Sequence, residues 1–215
     1  MTRTTTISAV AGVGVVLASA LALAGCSPTN VPADTTPTVV DTPRIDWQNG
    51  APSETDLYVQ AARAADLGTV LAWNAHDFTI EQLSSTVTPG LAAFYFERFE
   101  PVERRAYPGP RPSTVVEVTE NAAGDGALVV LCRVSEDWRV SVEHPQPEVD
   151  LTTGTETTYT VISSESGDLV VSNVEASGAV CDASSASVGY FWPTPNVPDL
   201  AETEDVRAPI GYVAD

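Results

Sequence analysis

Ala127-Leu128-Val129-Val130-Leu131-Cys132-Arg133-Val134 is the stretch whose reading decides the fold. It follows the turn-rich Asn121–Gly126 and is dense in β-branched and apolar residues, so it reads as a strand. A period of two places Leu128, Val130, Cys132 and Val134 on one face and Val129, Leu131 and Arg133 on the other. Working outward, Thr114–Glu120 is a second strand with Val116 and Val118 on one face, and Trp138–Glu143 reads as a third. Glu156–Ser163 and Asp168–Glu175 flank Ser164-Glu165-Ser166-Gly167, which reads as a hairpin turn. Gly178–Cys181 reads as a short edge strand.

Upstream of Ser113 the period is helical. Ser53-Glu54-Thr55-Asp56 offers a capping oxygen with acids in the first turn. Leu57, Ala61, Ala64, Gly68, Leu71 and Ala75 then make one face, widened by Tyr58, Ala62, Ala65 and Val70. The face is small-sided, which lets a sheet approach closely, and Gly68 is explained if a neighbour needs its space. The helix should stop near Asn74–Asp77, with His76 in the left-handed capping position. Thr79-Ile80-Glu81-Gln82 reads as a capping box for a brief turn to Ser85. Thr88-Pro89 starts another helix through Phe99, with Ala92, Ala93, Phe96 and Phe99 sharing a face. Helices followed by antiparallel strands define an α+β domain over residues 53–192.

The chain has 215 residues and a formal charge of −19, and all ten of its basic residues are Arg. So acidic a chain lacks the basic footprint that phosphate contact requires, so nucleic acid is excluded as a partner. The acidic residues are dispersed and form no calcium loop. No residue set calls for a metal or another cofactor.

Arg3 precedes an uncharged run from Ile7 to Ala24, followed by Gly25 and Cys26. This resembles a bacterial lipoprotein signal peptide over residues 1–25. The resemblance implies a diacylglyceryl group on the Cys26 thiol, further acylation, and a protein held by acyl chains on the outer face of the cytoplasmic membrane. Two or more chains make such an anchor stable. Residues 26–52 carry Pro28, Pro32, Pro37, Pro43 and Pro52 among Thr, Asn and Asp, and read as a disordered tether spanning about 25–30 Å. Within it, Ile45 and Trp47 are expected to pack on the domain as a short extension. Residues 193–215 read as an acidic, Pro-containing tail, mostly disordered.

With Cys26 assigned to lipid, Cys132 and Cys181 remain as an even pair in an oxidising compartment, which points to a disulfide. The rival reading, two thiolate metal ligands, lacks a CxxC pair and any His76 or His144 at ligand spacing. Arg98, Arg104, Arg105 and Arg111 crowd one short window. They form either an anion-binding patch or internal pairs with Glu97, Glu100 and Glu103. Asp77, His76 and His144 are the candidates for acid–base chemistry, set against local backbone bonding for Asp77 and solvated loops for the two histidines. Trp73, Trp138, Tyr190, Phe191 and Trp192 read as core before pocket lining.

Leu71-Ala72-Trp73-Asn74-Ala75-His76-Asp77-Phe78 resembles the junction after the first helix of the NTF2-like (SnoaL-like) superfamily, with His76 where Gly is usual. Residues 53–192 together are similar to secreted actinobacterial lipoproteins with that domain. The resemblance implies a cone, with N-terminal helices packed on a curved antiparallel sheet of four to six strands. Enzymes of that superfamily use a carboxylate base on the segment leading to the third helix. Here that segment, Ser84–Pro89, has neither acid nor His, so no catalytic residue is assigned. The implied role is a non-catalytic module binding an unknown small molecule or envelope protein. The alternative is an isomerase, cyclase or hydrolase using the cone cavity.

Overall fold

A computed structural model describes residues 36–48, 50–99, 105–134, 138–141, 144–147, 149–195 and 206–214. The signal segment, Cys26 and Arg104 lie outside these residues. The described residues have an α+β architecture: three helices, a four-stranded antiparallel sheet and a two-stranded antiparallel sheet.

Helix α1 spans Leu57–Ala75. Its cap is Asp56, not Ser53: the Asp56 carboxylate accepts from the backbone N–H of Tyr58 at 2.8 Å and of Val59 at 3.2 Å. The acids therefore precede the helix, and none lies in its first turn. At the other end His76 takes the left-handed conformation, φ 52°, and the Asp77 N–H closes back onto the Ala72 carbonyl. The buried face contains Gly68, Leu71, Ala62, Ala65 and Val70 of the expected one, together with Val59, Asp66, Thr69 and Ala72, whereas Leu57 is 65% exposed. Apolar spacing alone misses Asp66 and Thr69, the two polar residues on it. Thr69 satisfies its hydroxyl on the Ala65 carbonyl at 2.8 Å, and Asp66 is held by arginines described below.

Helix α2, Glu81–Ser84, crosses α1 at Gly68. A Cβ at position 68 would overlap the Gln82 carbonyl oxygen and crowd the Leu83 Cα. Both are backbone atoms that cannot swing aside. Gly68→Ala is therefore expected to destabilise the protein by about 1–3 kcal/mol, despite the better helix propensity of alanine. Urea unfolding reads this directly, and a stabilised variant would contradict the close crossing. The proposed capping box is not used. Thr79 Oγ1 bonds Asp77 at 2.6 Å, and Ile80 caps α2 without a side-chain bond. Helix α3, Pro89–Glu97, starts as expected, with Thr88 Oγ1 accepting from the Leu91 N–H and Pro89 in its first turn.

The main sheet is the meander β2 (Ser113–Glu120), β3 (Gly126–Val134), β4 (Thr153–Ser163), β5 (Leu169–Asp182). Val129 and Leu131 of β3, Tyr159 and Val161 of β4 and Val171 of β5 share one core with Val59, Ala62, Ala65 and Ala72 of α1. On the opposite face, Cys132 and Val134 join Ala183 and Ala186 in a smaller cluster. The hairpin turn lies at Ser164–Gly167 as expected, with the Ser164 N–H on the Asp168 carbonyl and Gly167 at φ 90°. Two expectations are corrected. Of the expected strand Trp138–Glu143, residues 142–143 lie outside the described residues, and Trp138–Ser141 is not a strand: among the described residues it makes one bridge, Val140 with Ala106 of the proline-rich loop, and buried Trp138 donates to the Gly109 carbonyl. Nor is Gly178–Cys181 a separate strand; it is the end of the long, bulged β5.

The disulfide reports how sharply the sheet curls. Cys132 and Cys181 lie on β3 and β5, with β4 between them. In a flat sheet such strands stand about 9.6 Å apart. Here the two Cα atoms are 5.8 Å apart and the sulfurs are bonded. The pairing slips between Thr155 and Thr157, and Gly154 occupies the inside of the bend. A Cβ there would lie 2.6 Å from the Arg133 oxygen and 2.7 Å from Cys132 Sγ. A bulge and a missing side chain thus allow the curl that the disulfide ties.

The folded body reaches beyond 53–192 at both ends. Strand β1, Arg44–Trp47, pairs antiparallel with β6, Gly189–Trp192, and packs Ile45 and Trp47 against Gly189. Thr38 bridges Ile80. In the expected tail, Arg207 exchanges backbone bonds with His76 and Phe78, and its guanidinium meets Asp77 at 3.0 Å. Composition suggested disorder at both ends; among the described residues, Arg44–Trp47 is held by the β6 edge and Arg207 by the backbone around Asp77 and by its carboxylate.

Candidate functional site

The residues of Trp73-Asn74-Ala75-His76-Asp77 are occupied structurally. Asn74 holds the backbone of Tyr107 from both sides, its amide donating to the carbonyl at 2.9 Å and its oxygen accepting from the N–H at 2.8 Å. Trp73 meets Phe99 and Tyr107 edge-on. The His76 ring lies 4.9 Å from Phe99, and burial lowers its pKa, keeping it neutral at pH 7. Asp77 accepts from the Thr79 N–H, the Thr79 hydroxyl and Arg207. His144 lies exposed in a loop. Trp138 and Phe191 are core, whereas Trp192 is exposed.

Of the four arginines Arg98, Arg104, Arg105 and Arg111, the described residues show three, and they do not share one environment. Arg98 lies over the Phe94 ring at 4.2 Å and is exposed, as is Arg105. Arg111 instead turns inward, with its side chain 9% exposed. It meets Asp66, brought from α1 by the fold; Glu100 and Glu103, the other partners considered, lie outside the described residues.

Around Asp66 the helix, the sheet and the proline-rich loop converge. Asp66 Oδ1 lies 3.5 Å from Arg111 Nε and 3.7 Å from Arg133 Nη2, and accepts from the Tyr159 hydroxyl at 3.1 Å. Arg111 also lies over the Tyr107 ring and Arg133 over the Tyr159 ring. Burial pushes the Tyr95 phenol up to about 12, and burial with the Asp66 charge drives Tyr159 well above the ordinary tyrosine value. Both phenols are therefore protonated across the physiological range, and Tyr159 donates to Asp66. Asp66, Arg133, Tyr95 and Tyr159 were not singled out from sequence. Two signals point to them: a charge inside Ala64-Ala65-Asp66-Leu67, and an arginine alternating in register with Val129 and Leu131 on the inner face of β3. A buried arginine implies a buried anion.

Beside this cluster opens a cavity of about 160 Å³. Ile45, Trp47, Leu67 and Leu131 supply apolar wall, and Asp66 and Arg111 supply charge. Arg63 lies among the lining residues as well, but it is neutralised by Glu54 and donates to Ser113 Oγ at 2.8 Å. Among the described residues, no group of three or more His, Cys, Asp or Glu is placed to hold a metal ion, and no helix is long and apolar enough to cross a membrane. The chain matches no protein-family model, and comparisons with curated proteins and with solved structures find no significant relative.

Proposed function

We propose that the protein is a lipid-anchored extracytoplasmic binding module, held by acyl groups on Cys26 and presenting an NTF2-like cone whose cavity takes a small molecule without transforming it. The cavity beside Asp66 carries this reading. It is concave and mostly apolar, with a few convergent polar groups, the usual character of a ligand site. Those groups do not suit them to chemistry. The tyrosines stay protonated, and Asp66 is engaged by Tyr159 between two arginines. The curled sheet under a long first helix supports the cone, and the Leu-Ala-Gly-Cys run at 23–26 supports the anchor.

Expression of the full chain in an actinobacterial host with an alkyne-tagged fatty acid tests the anchor. Labelled protein is expected in the membrane fraction, and Cys26→Ala should lose the label and leave that fraction. An unlabelled parent chain would rule the anchor out.

A further inference from the structure

We propose that this cavity is a carboxylate site, with Arg111 as the residue that recognises the anion. The inference rests on the reading of the cavity as a ligand site. Its starting point is a charge imbalance in the interior. Asp66 faces two guanidinium groups, Arg111 and Arg133, each nearly fully buried, so the cluster carries one uncompensated positive charge inside a chain of net charge −19. The hydrogen-bond inventory is short in the same place. The Nε atoms of Arg111 and Arg133 are buried and without a hydrogen-bond partner, although Asp66 lies within ion-pair distance of both side chains. Buried guanidinium groups ordinarily use their donors on an anion, and leaving them unused is costly.

Arg111, unlike Arg133, is among the residues lining the cavity, so an anion bound there can meet the surplus charge through the Arg111 guanidinium. The planar fork of a guanidinium fits a carboxylate through two parallel bonds. A single negative charge balances the cluster, whereas a phosphate dianion would leave a net negative charge among apolar walls. Those walls, Ile45, Trp47, Leu67 and Leu131, suit an uncharged body. The volume is close to that of apolar cavities that accept one benzene ring, about 150 Å³. The ligand class is therefore a small monocarboxylic acid with an apolar body of about one ring.

Isothermal titration calorimetry of the purified full-length chain tests this with three probes: benzoate, its uncharged near-isostere benzamide, and inorganic phosphate. Benzoate is expected to bind about tenfold or more tightly than benzamide, with phosphate weaker than benzoate. Arg111→Met should erase the benzoate advantage and leave benzamide affinity unchanged. Equal affinity for benzoate and benzamide in the parent chain would sink the carboxylate assignment while leaving the cavity a ligand site. Binding of none of the three, together with no uptake of benzene, would sink both readings. A phosphate preference would also overturn the assignment. The comparison of probes on the parent chain needs no variant to fold.

Discussion

Asp66→Asn is expected to cost about 3–5 kcal/mol of stability, the usual loss when one partner of a buried charge group is removed. In a folded body of this size that lowers Tm by on the order of 10 °C. The substitution keeps the volume of the side chain and an oxygen for the Tyr159 hydroxyl. What it removes is the one carboxylate, among the described residues, that faces both Arg111 and Arg133. Arg111→Met is the informative companion. It leaves a one-to-one Asp66–Arg133 pair and fills the same space, so its effect should be small. The double variant should be more stable than Asp66→Asn alone, because residues sharing one network do not add. Thermal unfolding followed by circular dichroism measures all three. An Asp66→Asn protein as stable as its parent would mean that the guanidinium groups are solvated.

Loss of the disulfide is the second large effect. The bond closes a loop of sequence separation 49, which contains β4 and most of β5. Chain entropy alone assigns about 4 kcal/mol to such a closure. The Cys132→Ser, Cys181→Ser double variant, or the reduced protein, should therefore unfold at a clearly lower urea concentration than the oxidised chain. The loss should be felt first where the sheet bends around Gly154, because there the cross-link holds two strands that are not neighbours. A serine variant with the parent midpoint would show that bulge and glycine sustain the bend unaided.

Elements set by local chemistry were legible in the sequence. Thr88-Pro89 opens α3, His76 ends α1, Ser164–Gly167 turns the hairpin, and the alternation in β3 is visible in eight residues. Each of these depends on neighbours a few positions away. What was not legible depends on partners far along the chain. The burial of Asp66 on α1 is decided by arginines 45 and 67 positions beyond it. Arg44–Trp47 looks like tether until Gly189–Trp192 lies beside it. Trp138 has the composition of a strand residue, but the proline-rich loop it anchors gives it a different partner. The candidate site shares this difficulty. Arg111 was visible, but as one of four surface arginines; only its encounter with Asp66 makes it an interior charge.

The pairing of β1 with β6 and the docking of Arg207 bear on where the gene can be cut. A fragment trimmed to positions 53–192 would keep every helix and the whole meander, yet expose a lone ribbon at Gly189–Trp192 as a template for self-association. The Asp77 carboxylate would lose its guanidinium, and the cavity would lose the wall made by Ile45 and Trp47. Useful boundaries for crystallisation or ligand screening therefore lie outside Thr38 and Arg207.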